Sequence, residues 1–267
     1  MVAIIKERGG TIVCLINFQL GAHPNYKLIV AANRDEFYER PTAQAHFWED
    51  EPDILAGRDL RGKGTWLGIT KQGRFAALTN IRKPKEDLAG KKSRGVIIKN
   101  YLAGRMGPES FLKDLTLEKD LYAGFNLLVG TPDYLYYFNN AEGKIEKVNE
   151  GTHGLSNHFL NTPWPKVVQG KQMLKNYVNG HEAIESDVLF EILTHSEETE
   201  EGALPHTGVS IELEKKLSPL FIQTPNYGTR SSTVLLVNQK NNVVFEERTY
   251  KYGKFNGEEK FSFQIEG

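Results

Sequence analysis

Two apolar runs rich in β-branched residues stand near the start of the chain: Thr11 to Phe18 (TIVCLINF), and Tyr26 to Ala32 (YKLIVAA), which leads directly into Asn33-Arg34-Asp35-Glu36. Each has the length and composition of a buried strand. Pro24-Asn25 between them reads as a turn, so the pair is expected to form a hairpin. Its antiparallel return brings Cys14 on the first strand near Arg34 on the second. A guanidinium beside a thiol lowers the thiol's pKa and supplies thiolate, so reactive sulfur is expected at Cys14. The alternative is a lone cysteine serving as a small buried hydrophobe.

The rest of the chain continues the pattern. Short strands are expected within 52–59, over 65–70 and over 74–80, the last two joined by the turn Lys71-Gln72-Gly73. Apolar residues at helical spacing follow over 93–102, which opens with a cap-competent Ser93, and over 108–115. Strands are expected over 125–129, 134–138 and 151–157, and the longest helical patterns over 166–178 and 184–195. Residues 196–208 read as an acidic, exposed loop, and three strands (220–223, 231–237 and 243–249) close the chain. Strands, then helices, then strands, with many hairpins, argue for an α+β chain with largely antiparallel sheet. Cleft walls are expected from the loops around 37–64, 82–92 and 196–219.

The totals narrow the function. At 267 residues, 39% hydrophobic and 25% charged, the composition is that of an ordinary soluble globular protein. A net charge of −1 gives no pull toward nucleic acid or anionic membrane. No apolar run approaches the roughly 20 residues of a membrane span, so no membrane insertion is expected and the setting reads as cytoplasmic. One cysteine excludes an internal disulfide and a cysteine-rich metal site. The seven histidines show no metal spacing, and neither metal nor cofactor is expected. Residues 1–12, with polar Lys6-Glu7-Arg8-Gly9-Gly10, read as an extension to a single domain over 13–267. Arg8-Gly9-Gly10 can be encoded by a ribosome-binding sequence and Val13 by an alternative start codon. Translation is therefore expected to begin at Val13, leaving Cys14 as the mature N-terminus once methionine is removed.

A set of ordered blocks carries a resemblance: Cys14-Leu15-Ile16, Ala32-Asn33-Arg34-Asp35-Glu36, Ala56-Gly57-Arg58-Asp59, Gly64-Thr65-Trp66-Leu67-Gly68, Leu78-Thr79-Asn80, Gly154-Leu155-Ser156-Asn157 and Tyr227-Gly228-Thr229-Arg230-Ser231-Ser232-Thr233. From Val13 to about Thr249 the chain resembles the NRDE family, which includes the eukaryotic transport-and-Golgi-organisation proteins. More distantly it resembles N-terminal-nucleophile hydrolases of the choloylglycine hydrolase and penicillin V acylase group. That resemblance implies an αββα sandwich, two mostly antiparallel sheets with outer helices. It also implies a cysteine that attacks an amide while its own α-amine acts as base. Residue by residue, Cys14 matches the nucleophile and Arg34 the arginine that holds the thiolate. Asn80 and Asn157 match the oxyanion-hole asparagines, and Arg230 the late arginine near the sulfur. The group's aspartate stands three residues after its arginine; here Phe37 occupies that place and Asp35 follows Arg34 directly, so Asp35 or Glu36 could orient the amine.

Two functions follow as expectations. The first is an amidohydrolase or acyltransferase acting on a small amide or acyl substrate through Cys14. The second is a non-catalytic carrier for acyl-CoA, lipid or haem on the same scaffold, in keeping with the roles linked to the family's eukaryotic members. For that reading Arg34, Arg58, Arg61, Lys63 and Arg230 would supply cationic contacts. Structural alternatives stand beside these roles. Asn is a common turn residue at strand ends, Arg34 can pair with a neighbouring acid, and Arg58 and Asp59 can brace the Gly-rich bend at 60–64.

Overall fold

The computed structural model describes residues 14–83 and 86–266. The expected extension over 1–12 and start at Val13 lie outside the described residues. In chain order the elements begin with strands β1 (Cys14–Leu20), β2 (Tyr26–Phe37), β3 (Thr42–Phe47), β4 (Ile54–Asp59), β5 (Leu67–Thr70) and β6 (Phe75–Asn80). Helices α1 (Gly95–Ala103) and α2 (Pro108–Glu118) precede strands β7 (Phe125–Thr131), β8 (Tyr134–Asn139), β9 (Ile145–Lys147) and β10 (Gly151–Leu155). Helices α3 (Pro165–Asn179), α4 (Ser186–Leu193) and α5 (Ile211–Lys216) lead to strands β11 (Tyr227–Asn238), β12 (Asn242–Lys251) and β13 (Lys254–Gln264).

The strands form two antiparallel sheets, ordered β10-β1-β2-β11-β12-β13 and β3-β4-β5-β6-β7-β8-β9. Strand alternation sorts their side chains into layers. Ile16, Phe18, Leu28, Val30 and Ala32 of the first sheet meet Leu55, Leu67, Ile69 and Ala77 of the second in one core. On the far side of the first sheet, Leu15, Ile29 and Ala31 pack against Val167, Leu174, Leu189 and Phe190 of α3 and α4. On the far side of the second, Ala56, Ala76 and Leu127 pack against Ile97, Ile98 and Leu112 of α1 and α2. The molecule is therefore α+β with the four layers helix, sheet, sheet, helix that the resemblance implied. Each large apolar side chain buried in these layers stabilises by about 1.5–3 kcal/mol before entropy is counted.

Helix α3 lies close on β1 because Gly170 lets it: a Cβ there would stand 2.6 Å from Asn17 Nδ2. Among the described residues no helix is long and apolar enough to cross a membrane.

Several expectations are corrected. β3, β9 and β13, which the pattern does not announce, are real strands, and each sits at a sheet edge. There one flank and much of one face meet water, so a polar composition is tolerated. Leu220–Gln223 is not a strand and makes only an isolated bridge, Gln223 to Gly228. The stretch taken as loop over 196–219 contains α5, capped by Ser210 Oγ accepting from Leu213 N–H. Ser93 does not cap α1, whose N-cap is Arg94 with no side-chain cap.

Candidate active site between the sheets

Cys14 is the first residue of β1 and pairs directly with Arg34 of β2. Extended by two residues, the β1–β10 register (Ile16 opposite Leu155) sets Asn157 across from Cys14 on its other side. Ser156 Oγ donates to the Cys14 carbonyl at 2.7 Å, fixing the strand's first residue.

The tetrad 33–36 is divided by the pleat. Arg34 and Glu36 point between the sheets, while Asn33 and Asp35 point to the helices. Asn33 is wholly structural in its bonding. Its Nδ2 donates to Leu193 O and Leu220 O, both at 2.8 Å, and its Oδ1 accepts from Ser232 Oγ at 2.6 Å. Asp35 Oδ1 accepts from Thr229 Oγ1 at 2.6 Å. Arg34 is paired, at 3.6 Å, with Glu36 rather than with Asp35, and donates to Thr42 Oγ1 at 3.4 Å.

Between the sheets lies a cavity of about 110 Å³ whose wall includes Cys14, Arg34, Glu36, Asn80, Arg94 and Glu247. Gly95, in its wall, packs against Gly64. A Cβ on Gly64 would lie 2.3 Å from the Gly95 carbonyl group, so only glycine lets the bend before β5 dock on the start of α1. A second cavity of about 360 Å³ opens beside it, sharing Arg34, Arg40, Thr42, Ser231 and Glu247 and adding Tyr38, Arg230 and Lys251.

The expected site residues divide between these places. Cys14, Arg34 and Asn80 line the inner cavity, as does Arg58. Asn157 is buried behind its wall, where Nδ2 donates to Asn80 O at 2.9 Å. Arg230 is the extra residue of a β-bulge between Thr229 and Ser231. The bulge re-aims it into the outer cavity, with Nη1 donating to the carbonyls of Phe37, Tyr38 and Arg40. Arg58 stacks on Trp48 at 4.3 Å and forms a two-bond pair with Asp50. Arg61 and Lys63 are exposed and line neither cavity. Asp59, not Arg58, braces the bend: its Oδ1 accepts from the backbone N–H of Arg61 and of Gly62, each at 3.0 Å. No residue of 196–219 lines either cavity.

The electrostatics overturn one expectation. Arg34 does favour the Cys14 thiolate, but burial and the Asp35 charge outweigh it, and the thiol is pushed up to about 12. The guanidinium alone does not make reactive sulfur. Sequence reasoning also missed three ionisable groups. Glu247, in the wall common to both cavities, is pushed by burial up to about 7, and its Oε1 accepts from Ala45 N–H at 2.7 Å. Arg94 is lowered to about 10 by burial and donates to Gly124 O at 2.9 Å. Lys166, 3% exposed, sits behind the first sheet. None stands in the blocks that carry the resemblance; only an acid or base on an otherwise apolar face, as at Lys166-Val167, could have flagged them.

The family model described as transport and Golgi organisation 2 matches residues 13–252. The mouse and human transport and Golgi organization 2 homologs are 36% and 37% identical to the chain over 257 residues, covering 89% of it and 93% of each homolog. The Drosophila melanogaster transport and Golgi organization protein 2 is 29% identical over 264 residues, covering 89% of this chain and 92% of its own length. Among solved structures, a Caenorhabditis elegans N-acylethanolamine-hydrolyzing acid amidase ortholog aligns with a TM-score of 0.49 at 9% identity, over 84% of this chain and 92% of that one. A mutant conjugated bile acid hydrolase from Clostridium perfringens aligns at 0.47 and 10% identity, over 96% of this chain and 97% of that one. The four-layer assignment rests on the strand order and packing given above. The chain belongs to the transport and Golgi organisation 2 family.

Proposed function

We propose that the inner cavity is an acyl-transfer site in which Cys14 attacks a small amide or thioester. One observation carries the reading: the chain's single cysteine begins a strand, faces a polar cavity and has Arg34 directly across from it. The sulfur forms a bond to the acyl carbon, the Asn80 side chain steadies the oxyanion, and the amine or thiol leaves with a proton. Water then resolves the thioester. A side-chain amide aimed at an oxyanion is worth about 2.7–4 kcal/mol. Arg34 holds the thiolate, and Asn157 positions Asn80 by anchoring its carbonyl. The outer cavity, with Arg40, Arg230 and Lys251, receives the remainder of the substrate.

A thiol near 12 is inert at neutral pH, so the reading requires a base beside it. A free α-amine on Cys14, with a reference pKa of about 7.7–8.0, supplies one. The proposed active form therefore begins at Cys14. The family match from residue 13 supports that boundary. A cytoplasmic setting belongs to the same proposal.

The test is turnover on a panel of small amides and thioesters, with intact mass recording the first residue. Activity confined to protein beginning at Cys14, and abolished by Cys14→Ser, is expected. Undiminished turnover by Cys14→Ser would refute the nucleophile.

The basic lining of the outer cavity favours a second reading, binding of an anionic acyl ligand such as acyl-CoA without turnover. For haem, the iron ligand would be Cys14 of the inner cavity, since no histidine lines either cavity. Calorimetric titration with palmitoyl-CoA and with haem decides; no heat from either removes the carrier reading.

A further inference from the structure

The inner cavity is small for a site that acts on an acyl group. A protein cavity of about 150 Å³ takes one benzene, six carbons. On that scale the volume of about 110 Å³ beside Cys14 holds about four non-hydrogen atoms, the size of an acetyl or propionyl group. Pockets for drug-sized ligands run from about 300 to 1,000 Å³. The outer cavity, at about 360 Å³, falls in that range and the inner one does not.

The wall of the inner cavity has little room to give. Its charged side chains are tied down: Arg40 to Asp59 at 2.6 Å, Arg94 to Gly124 O at 2.9 Å, and Glu247 to Ala45 N–H at 2.7 Å. Gly57 of β4 sits so close to Glu247 of β12 that a Cβ there would stand 3.2 Å from Oε2. Trp66, 9% exposed, is the largest apolar side chain of the lining and packs in the same core as Cys14. A longer alkyl chain must lie against these bonded charges or displace Trp66. Stripping water from paired charges costs more than burying a methylene gains.

The carbon under attack must reach Cys14, which lines the inner cavity and not the outer. One side of the scissile bond is therefore confined there, and the other leaves past Arg34, Thr42 and Ser231, which line both cavities. The outer cavity, with Arg40, Arg230 and Lys251, is a poor seat for an alkyl chain. The confined side is then the acyl group.

We propose that the substrate carries a short acyl group, of up to about four non-hydrogen atoms, and that Trp66 sets this ceiling. The inference rests on Cys14 being the nucleophile. With a thioester, the Cys14 sulfur bonds to the acyl carbon, the thioester C–S bond breaks, and the leaving thiol carries off the Cys14 proton. Water then releases a short carboxylic acid and restores the Cys14 thiol.

The experiment measures kcat/KM on the acetyl, propionyl, hexanoyl and octanoyl thioesters of N-acetylcysteamine. It uses protein beginning at Cys14, with intact mass recording the acyl adduct. Acetyl and propionyl are expected to turn over, and hexanoyl to fall at least about tenfold below them, the penalty for overfilling a fitted pocket. Rates that climb with chain length, about fourfold per methylene as in an open apolar groove, overturn the proposal and leave the nucleophile intact. Lengthening the thiol side of the acetyl thioester to pantetheine is expected to preserve turnover; a ceiling on that side instead overturns the proposal.

Trp66→Ala is expected to raise the hexanoyl-to-acetyl ratio about tenfold or more. Trp66→Leu, which keeps an apolar contact with the core, should raise it less and serves if Trp66→Ala does not fold. An unchanged ratio in a folded variant overturns the role of Trp66. No turnover and no acyl adduct with any of the thioesters overturns the nucleophile and this inference together.

Discussion

Replacing Glu247 by glutamine is expected to remove a defined part of the protein's pH-dependent stability. Glu247 is 3% exposed and lies in the wall shared by the two cavities. Burial carries its carboxyl from an ordinary 4.5 up to about 7, against the opposing pull of the Ala45 N–H and of Arg34. Between those values the folded protein holds a proton that the unfolded chain has released. Stability from this group is complete below 4.5 and lost as pH rises through about 7. At about 1.4 kcal/mol per pH unit, the window corresponds to roughly 3 kcal/mol. Glutamine fills the same volume, can accept from Ala45 N–H and does not titrate. The stability difference between wild type and Glu247→Gln, measured by urea unfolding across a pH series, should therefore swing by about 3 kcal/mol in favour of the variant between the two limits. In melting temperature the swing is about 6–10 °C for a chain of this size. Parallel curves for the two proteins would show that the carboxyl is not held neutral by burial, and the reasoning would fail.

Other expected outcomes test the framework of the site. Asn33→Ala strands two carbonyls and a hydroxyl inside the protein and should cost about 3–5 kcal/mol in urea unfolding; a loss below about 1 kcal/mol would contradict its assignment as the tie between β2 and the outer helices. Gly64→Ala meets backbone rather than a movable side chain, and about 1–3 kcal/mol or more should be lost, whereas Gly202→Ala, with nothing within 4 Å, should stay within about 0.5 kcal/mol. Equal melting temperatures for the two glycine variants would refute the docking of the bend on α1. Ser156→Ala frees the Cys14 carbonyl and should lower stability by about 1–2 kcal/mol; an unchanged unfolding midpoint would mean that this bond does not hold the start of β1.

Much of this protein is determined by local pattern. The β1–β2 hairpin, the turn at Lys71-Gln72-Gly73 with Gly73 at φ +78°, and the long helix α3 follow from apolar period and turn chemistry, which act between near neighbours in the chain; α4, expected over 184–195, is confined to Ser186–Leu193 and is shorter than α1 and α2. The pairing of Cys14 with Arg34 follows from the same hairpin, because register between adjacent strands is fixed by the turn that joins them. The edge strands were silent because half-solvated backbone accepts polar residues. What only the tertiary structure decided is the electrostatics. Whether Arg34 makes Cys14 a thiolate depends on how much water the second sheet excludes, and that sheet comes from residues far along the chain. The hydrogen bond of Asp35 with Thr229 and the neutral tendency of Glu247 likewise arise where distant segments close over a charge. A sequence shows which groups can ionise; the packing sets the free energy of doing so.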